Sequence, residues 1–178
     1  MKLPKLNLCA SKDELRHALQ YIAIDEANIV ATDGHIVIKH SRSLLNFIED
    51  LPALCFVKAD QWVEFTKEFE KAIFVEKESH IILTDKNDKK RIVNVVINPN
   101  FTFPNYNTVI PDMSTEIELT GIGINPELLL KLAQASSIEK ANCKLHFFGL
   151  TTPIIVDFYF AGIIEGVQGV IMPILLEK

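Results

Sequence analysis

The stretch of sequence that decides the fold is Asn28-Ile29-Val30-Ala31-Thr32-Asp33-Gly34-His35-Ile36-Val37-Ile38-Lys39. Strand-like apolar runs flank an Asp-Gly pair, and Asp-Gly in that context is a strong hairpin signal. The sequence therefore predicts two antiparallel strands, 28–32 and 35–39, joined by a tight turn.

A strand–helix–strand pattern surrounds this hairpin and recurs three times. The first unit begins with a predicted strand over 5–10, followed by a helix in which Ser11 and Glu14 form a capping box. A connecting segment over 41–52 leads to the second unit. That unit is predicted to contain a strand over 54–57, a helix over 60–69 and three strands over 72–76, 81–83 and 91–97.

The third unit follows a change in composition. Residues 98–114 contain three prolines and no apolar period, which is typical of a linker. After it come a predicted strand over 116–120, a helix that starts at Asn125-Pro126, and strands over 144–148, 154–160 and 169–176. We expect an α+β fold of repeated β-α-β-β units with antiparallel sheets backing the helices, divided into domains 1–114 and 115–178.

The bulk composition limits the function. At 178 residues the chain is long enough for a real core, and it has no uninterrupted apolar run of membrane-spanning length. The sequence starts without a signal-like apolar core, so we expect a cytoplasmic protein without a membrane partner. The net charge of −5 argues against tight wrapping of nucleic acid, although a few cations gathered on one surface would still attract it.

The search for catalytic or metal-binding groups is negative. Cys9, Cys55 and Cys143 lack metal-ligand spacing and are expected to be buried free thiols. His35 and His40 would face opposite sides of a strand, so they cannot hold one metal ion from that element. Carboxylates at the hairpin serve the turn, and no nucleophile–base pair is readable. The sequence therefore predicts a non-enzymatic protein with no cofactor.

Three motifs together resemble a known family. Ala31-Thr32-Asp33-Gly34-His35 looks like the hairpin of the DNA polymerase III beta subunit, the bacterial sliding clamp. Phe103-Pro104-Asn105-Tyr106 with Val109-Ile110-Pro111 resembles the segment that joins the second and third domains of that family. Gly169-Val170-Ile171-Met172-Pro173-Ile174-Leu175 resembles its closing strand. The order of the motifs agrees with the family across most of the chain.

The resemblance implies a clamp fold in which helices line a central hole and sheets form the outer wall. The chain looks like a shortened form, with the second clamp domain joined to the latter half of the third. A ring would then need several copies, so a homo-oligomer is suggested, while a monomer or a dimer stays open.

The resemblance also implies two kinds of site. Double-stranded DNA would be bound weakly and without sequence preference by cations on the helices, namely Lys12, Arg16, Lys67 and Lys131. Linear peptides of polymerases, clamp loaders or repair proteins would enter a hydrophobic cleft. By correspondence with the family, that cleft would be lined by Thr32, Gly34, His35, Ile36, Val37, Phe74, Val170, Met172, Pro173, Ile174 and Leu175.

Two positions depart from the family, because Ile36 and Leu175 stand where it has basic residues. This change puts the polar anchoring of a peptide in doubt. The resemblance as a whole implies a sliding-clamp-like processivity factor for DNA replication that tethers replication or repair proteins. The alternatives are a clamp-derived interaction module or adaptor that does not encircle DNA, and an enzyme with an unrecognised site.

Overall fold

The computed structural model of the chain describes residues 1–119, 121–138, 142–160 and 163–174. It contains ten strands: β1 Tyr21–Ile24, β2 Asn28–Thr32, β3 Ile36–Ser41, β4 Cys55–Lys58, β5 Lys71–Val75, β6 His80–Thr84, β7 Lys90–Asn94, β8 Asn142–His146, β9 Ile154–Phe160 and β10 Ile163–Ile171. Two α-helices are present in the described ranges, α1 Ala59–Trp62 and α2 Pro126–Ser136. The remaining helical pieces are short 3-10 turns.

The strands form two antiparallel sheets. The larger sheet has seven strands in the order β4-β1-β2-β3-β10-β9-β8, and the smaller has three in the order β5-β6-β7. The large sheet therefore joins strands from both halves of the chain through the β3–β10 pair. The expected α+β architecture with antiparallel sheets is confirmed.

The main core lies between the sheets and the helical pieces. Trp62, Phe65 and Phe69 are almost fully buried there, and Leu132 of α2 packs into the same cluster. A second, smaller cluster joins Tyr106 to valines of β2, β3 and β10. That small cluster positions the candidate site described below.

The first predicted strand and helix are wrong. Residues Leu6–Cys9 form a 3-10 turn in place of a strand, and the next helical piece is a 3-10 turn over His17–Gln20. The Ser11 hydroxyl accepts a hydrogen bond from Asp13 N, and Asp13 Oδ1 accepts one from Leu15 N. Local side-chain bonds of this kind compete with a helix for the backbone donors.

The second predicted helix is shorter than expected. Regular α-helix covers only Ala59–Trp62, and a 3-10 turn continues over Val63–Thr66. The predicted strand over 116–120 is also wrong across 116–119, and residue 120 lies outside the described ranges. Within that stretch, Ile117 N donates to Phe147 O at 2.7 Å. The hairpin, the linker without strands, α2 and β9 follow the sequence prediction closely.

The helix α2 begins where the sequence predicts it. Asn125 Oδ1 accepts a hydrogen bond from Glu127 N at 2.9 Å, and Pro126 occupies the first helical turn. Both features satisfy or remove backbone donors that a helix start leaves free. Within the described ranges, no helix has the length and apolar character needed to cross a lipid bilayer.

Candidate functional site

An apolar cavity of about 220 Å³ lies where the hairpin meets the end of β10. The register places Ile36 opposite Ile171 and Val37 opposite Val170. Met172 N then donates to His35 O at 3.0 Å, which fixes the chain beyond β10 against the turn. The predicted proximity of the hairpin and the closing strand is therefore present in the fold.

The turn at the mouth of this cavity is held by its own side chains. Gly34 has φ +93, a backbone conformation that favours glycine. Asp33 Oδ1 accepts hydrogen bonds from His35 N at 2.9 Å and Ile36 N at 3.1 Å. The buried Thr32 hydroxyl donates to Ile36 O at 2.7 Å and accepts from Gly34 N at 3.1 Å. Because these polar groups form hydrogen bonds with one another, the turn is an ordered wall of the cavity.

The linker supplies the opposite wall, and sequence reasoning missed this part of the site. The linker residues in the lining are Pro104, Asn105, Tyr106, Thr108 and Val109, and Leu19 of the 3-10 turn His17–Gln20 also contributes. The aromatic residues within the proline-rich stretch were the available signal, because an apolar ring in a linker needs a surface on which to pack.

Tyr106 fastens this linker to the sheet. Its hydroxyl donates to Asp25 Oδ2 at 2.6 Å and accepts from Asn28 Nδ2 at 3.0 Å. Burial and the hydrogen bond to Asp25 raise the pKa of Tyr106 above its ordinary value. The ring packs against Val37 and Val170, so the tyrosine closes the floor of the cavity from the linker side.

Seven of the predicted peptide-site residues line the cavity: Thr32, Gly34, His35, Ile36, Val37, Val170 and Met172. Phe74 does not, because it lies on β5 of the small sheet and packs against the main core. Pro173 and Ile174 follow β10 outside the cavity lining, and Ile174 N donates to Gly123 O at 2.8 Å. Leu175 lies outside the described residues.

Strand addition is not available at this position. In the large sheet β3 lies between β2 and β10, and β10 lies between β3 and β9. Both edges of these two strands are therefore used by neighbours. A bound peptide would be held mainly by apolar side chains entering the cavity, in place of a continuous backbone ladder.

A second depression, of about 430 Å³, gathers three of the four predicted cations. Lys12, Arg16 and Lys131 line it together with Asp13 and Asp33. Arg16 Nε lies 3.7 Å from Asp13 Oδ2, and Lys131 Nζ lies 3.4 Å from Asp33 Oδ2. Three cations against two carboxylates leave a mildly positive surface on an acidic chain.

Lys67 does not join this depression. Its ammonium nitrogen lies 2.6 Å from Glu64 Oε1, three residues earlier along the second helical piece. The sequence placed Lys12 and Arg16 on a helix, but both lie on the irregular segment that precedes β1. Lys131 lies near them because α2 packs against the 3-10 turn over Leu6–Cys9, where Cys9 Sγ lies 3.9 Å from Lys131 O.

The two histidines considered from the sequence lie at opposite ends of β3. His35 is exposed at the turn, whereas His40 is buried at the far end of β3 with Nε2 3.3 Å from Ala135 O. Burial lowers the pKa of His40 to about 4 and raises the pKa of Cys9 to about 12. Cys143 is exposed, so the expectation that all three thiols are buried is wrong for this one. Across the described part of the chain, no cluster of three potential metal ligands occurs.

Comparison with known proteins relates this fold to bacterial clamps. A DNA polymerase III beta chain from Streptococcus pneumoniae TIGR4 matches with a TM-score of 0.63 and 13% identity, over 98% of this chain and 64% of that one. The H. pylori beta clamp in complex with diflunisal matches with a TM-score of 0.62 and 11% identity, over 97% of this chain and 62% of that one. A DNA polymerase sliding clamp from Caulobacter crescentus matches with a TM-score of 0.56 and 14% identity, over 97% of this chain and 63% of that one.

These likenesses establish the fold. The chain has the fold of sliding clamps and spans 62% to 64% of the length of the first two of these structures. No family model matches the chain, and no curated protein sequence matches it significantly.

Proposed function

We propose that this chain is a non-catalytic, sliding-clamp-like processivity factor. It would hold double-stranded DNA in the cytoplasm without reading its sequence and dock linear peptide segments of replication or repair proteins. The observation that carries the proposal is the shared cavity of the hairpin, β10 and the linker, formed within a sliding-clamp fold.

The chemistry of the cavity suits an apolar peptide side chain. Its walls are largely apolar, and the flexible Met172 is 39% exposed at its rim. Methionine adapts its shape to different partners, and buried apolar area supplies most of the binding free energy. The described lining contains no carboxylate and no lysine or arginine side chain. We therefore expect selection for apolar anchors and little selection for charge.

A peptide selection tests the docking site. Random peptides displayed on phage would be selected on the full chain and then measured by fluorescence anisotropy on Met172→Ala. Loss of the methionine side chain at the rim is expected to weaken binding about tenfold. Met113→Ala is the matched control, since Met113 is 42% exposed outside the cavity. Equal binding to both variants would contradict the proposed docking site.

The DNA-holding role is supported by the depression formed by Lys12, Arg16 and Lys131. Its partial neutralisation by carboxylates fits a weak, salt-sensitive contact with phosphates. A clamp needs such weakness, because a tight grip would prevent sliding. Retention on DNA would then depend on several copies of the chain enclosing the duplex.

Retention on DNA of two topologies tests enclosure. The protein, loaded with its cognate loading system or at high concentration, is expected to stay on closed circular DNA and to leave linearised DNA of the same sequence. Mass in solution measured by light scattering is expected to show a homo-oligomer. Equal loss from both DNA forms would contradict encirclement.

A second candidate function is an adaptor that docks peptides without encircling DNA. The observation in its favour is that Arg16, Lys67 and Lys131 each lie within 4.0 Å of a carboxylate. A monomeric mass at working concentration, together with intact peptide binding, would select this candidate.

A further inference from the structure

The outer face of the small sheet carries an exposed row of isoleucines. Residues alternate between the two faces of a strand. On β5 to β7 the inner face therefore consists of the buried Ala72, Ile81, Leu83 and Val93 together with the half-buried Phe74 and Arg91. The outer face places Ile73 opposite Ile82 and Ile82 opposite Ile92, so the three side chains form one row across the sheet.

The row is unusually open for aliphatic side chains. Ile92 is 59% exposed and Ile73 is 45% exposed, whereas Ile82 between them is half-buried. The buried apolar clusters of the described chain do not include Ile73 or Ile92. Contiguous exposed apolar surface rimmed by polar residues is typical of an interaction site.

A row of basic residues lies directly beside the isoleucines. Lys71 pairs with Thr84, and Thr84 pairs with Lys90, so the two lysines flank the threonine on neighbouring strands. Two strand spacings separate the lysines by roughly 10 Å. No carboxylate of the described chain lies within 4.0 Å of either ammonium nitrogen.

The opposite side of the isoleucine row differs in charge. There the third row is Val75, His80 and Asn94, and Glu78 Oε2 lies 3.4 Å from His80 Nδ1. The nine positions of the three rows contain no carboxylate, although the chain as a whole carries 23 acidic residues, and His80 in the third row is buried. The face is thus apolar along its middle and positive along one side.

We propose that this face, defined by the lysine and isoleucine rows, docks an acidic amphipathic segment of a partner protein. The apolar side chains of the segment would cover Ile73, Ile82 and Ile92, and its carboxylates would lie over Lys71 and Lys90. Charge complementarity selects this occupant, because a basic segment would meet two uncompensated ammonium groups. Nine face positions are also fewer than the roughly 20–30 residues that each partner of a stable dimer contributes.

This surface is separate from the cavity at the hairpin, since the described lining of that cavity includes no residue of β5, β6 or β7. Its occupation therefore does not depend on the function proposed above. A weak complex is expected, with the isoleucines supplying affinity and the lysines supplying orientation and a faster association.

Two labelled synthetic peptides test the proposal. Both form an amphipathic helix with the same leucine face, but one carries glutamates and the other lysines on its polar face. Fluorescence anisotropy with the full chain is expected to show at least tenfold tighter binding of the acidic peptide. Ile92→Ser is expected to weaken that binding about tenfold, and Lys71→Glu with Lys90→Glu is expected to abolish the preference for the acidic peptide.

Matched control variants distinguish binding at this face from nonspecific binding to other exposed apolar or charged residues. Leu150→Ser alters a residue that is 60% exposed elsewhere, and Lys144→Glu reverses a charge on β8, so neither is expected to change binding. Circular dichroism checks that each variant folds. Equal binding of the two peptides, or unchanged binding to Ile92→Ser, would overturn the proposal. A concentration-dependent dimer in sedimentation equilibrium that Ile92→Ser abolishes would also overturn it, because a second copy would then cover the face.

Discussion

Removal of one hydroxyl group, by Tyr106→Phe, tests how the linker wall of the cavity is held. The hydroxyl bridges Asp25 Oδ2 and Asn28 Nδ2 at 2.6 and 3.0 Å, while the ring stays in its valine pocket. A hydrogen bond to a charged group contributes about 1.5–3 kcal/mol. The carboxylate of Asp25 still accepts the Ala27 and Asn28 amides through Oδ1, and it is partly exposed. We therefore expect a loss near the lower end, about 1.5 kcal/mol in the free energy of unfolding.

The same substitution has a pH signature. Burial and the hydrogen bond to Asp25 raise the pKa of Tyr106 above its ordinary value of 10.0. The folded protein holds this proton more tightly than the unfolded chain does, so the proton contributes its full stabilisation below the pKa that Tyr106 has in the unfolded chain. That stabilisation is lost as the pH rises through the higher pKa of the folded protein. The stability difference between the wild type and Tyr106→Phe is therefore expected to shrink above pH 10.

Urea denaturation followed by circular dichroism at pH 7 and at alkaline pH measures both effects. Tyr21→Phe is the matched control, because the Tyr21 ring packs on Phe101 with centroids 4.6 Å apart and keeps that contact without its hydroxyl. A Tyr106→Phe variant as stable as the wild type at pH 7 would refute the reasoning. So would a difference between the two proteins that grows as the tyrosine ionises.

Two further predictions concern stability. Gly169→Ala is expected to lower the free energy of unfolding, measured by urea denaturation, by about 1–3 kcal/mol, because the new Cβ would lie 2.7 Å from Leu132 Cδ1. Gly121→Ala is the matched control, since a Cβ at that position meets open space. Similar losses in both variants would contradict this packing argument. Burial lowers the pKa of His40 from 6.5 to about 4, so its contribution to stability is complete above pH 6.5 and lost as the pH falls toward 4. The free energy of unfolding of His40→Gln is accordingly expected to fall less between pH 7 and pH 5 than that of the wild type, and an equal fall would exclude this residue as a source of acid sensitivity.

Local chemistry explains why several elements were predictable from the chain alone. The Asp33-Gly34 turn is closed by bonds within four residues, and α2 begins at an asparagine cap followed by proline. Both elements depend on neighbours in sequence. The same holds for β9, whose residues over 154–160 are β-branched or aromatic except for Asp157.

The predictions around residues 5–22 failed for the opposite reason. Apolar spacing and a capping pair favoured a helix there, but Ile22 is used in β1, which pairs with β2 and β4. Leu15, which follows Glu14 of the predicted capping box, is 95% exposed, so this stretch has no buried apolar helix face at that position. Pairing of β1 on both edges outweighs a helix propensity that differs by only tenths of a kcal/mol per residue.

By itself the sequence determined the hairpin, the cap of α2, the acidic overall charge and the motifs that resemble a clamp. Only the tertiary structure decided that Tyr106 of the linker closes the cavity, that Phe74 faces away from it, and that Lys131 meets Asp33 across 98 positions of chain. The physical reason is range. Turns and caps are fixed by bonds between near neighbours, whereas a cavity wall or an ion pair between distant residues forms only when packing brings separate elements together.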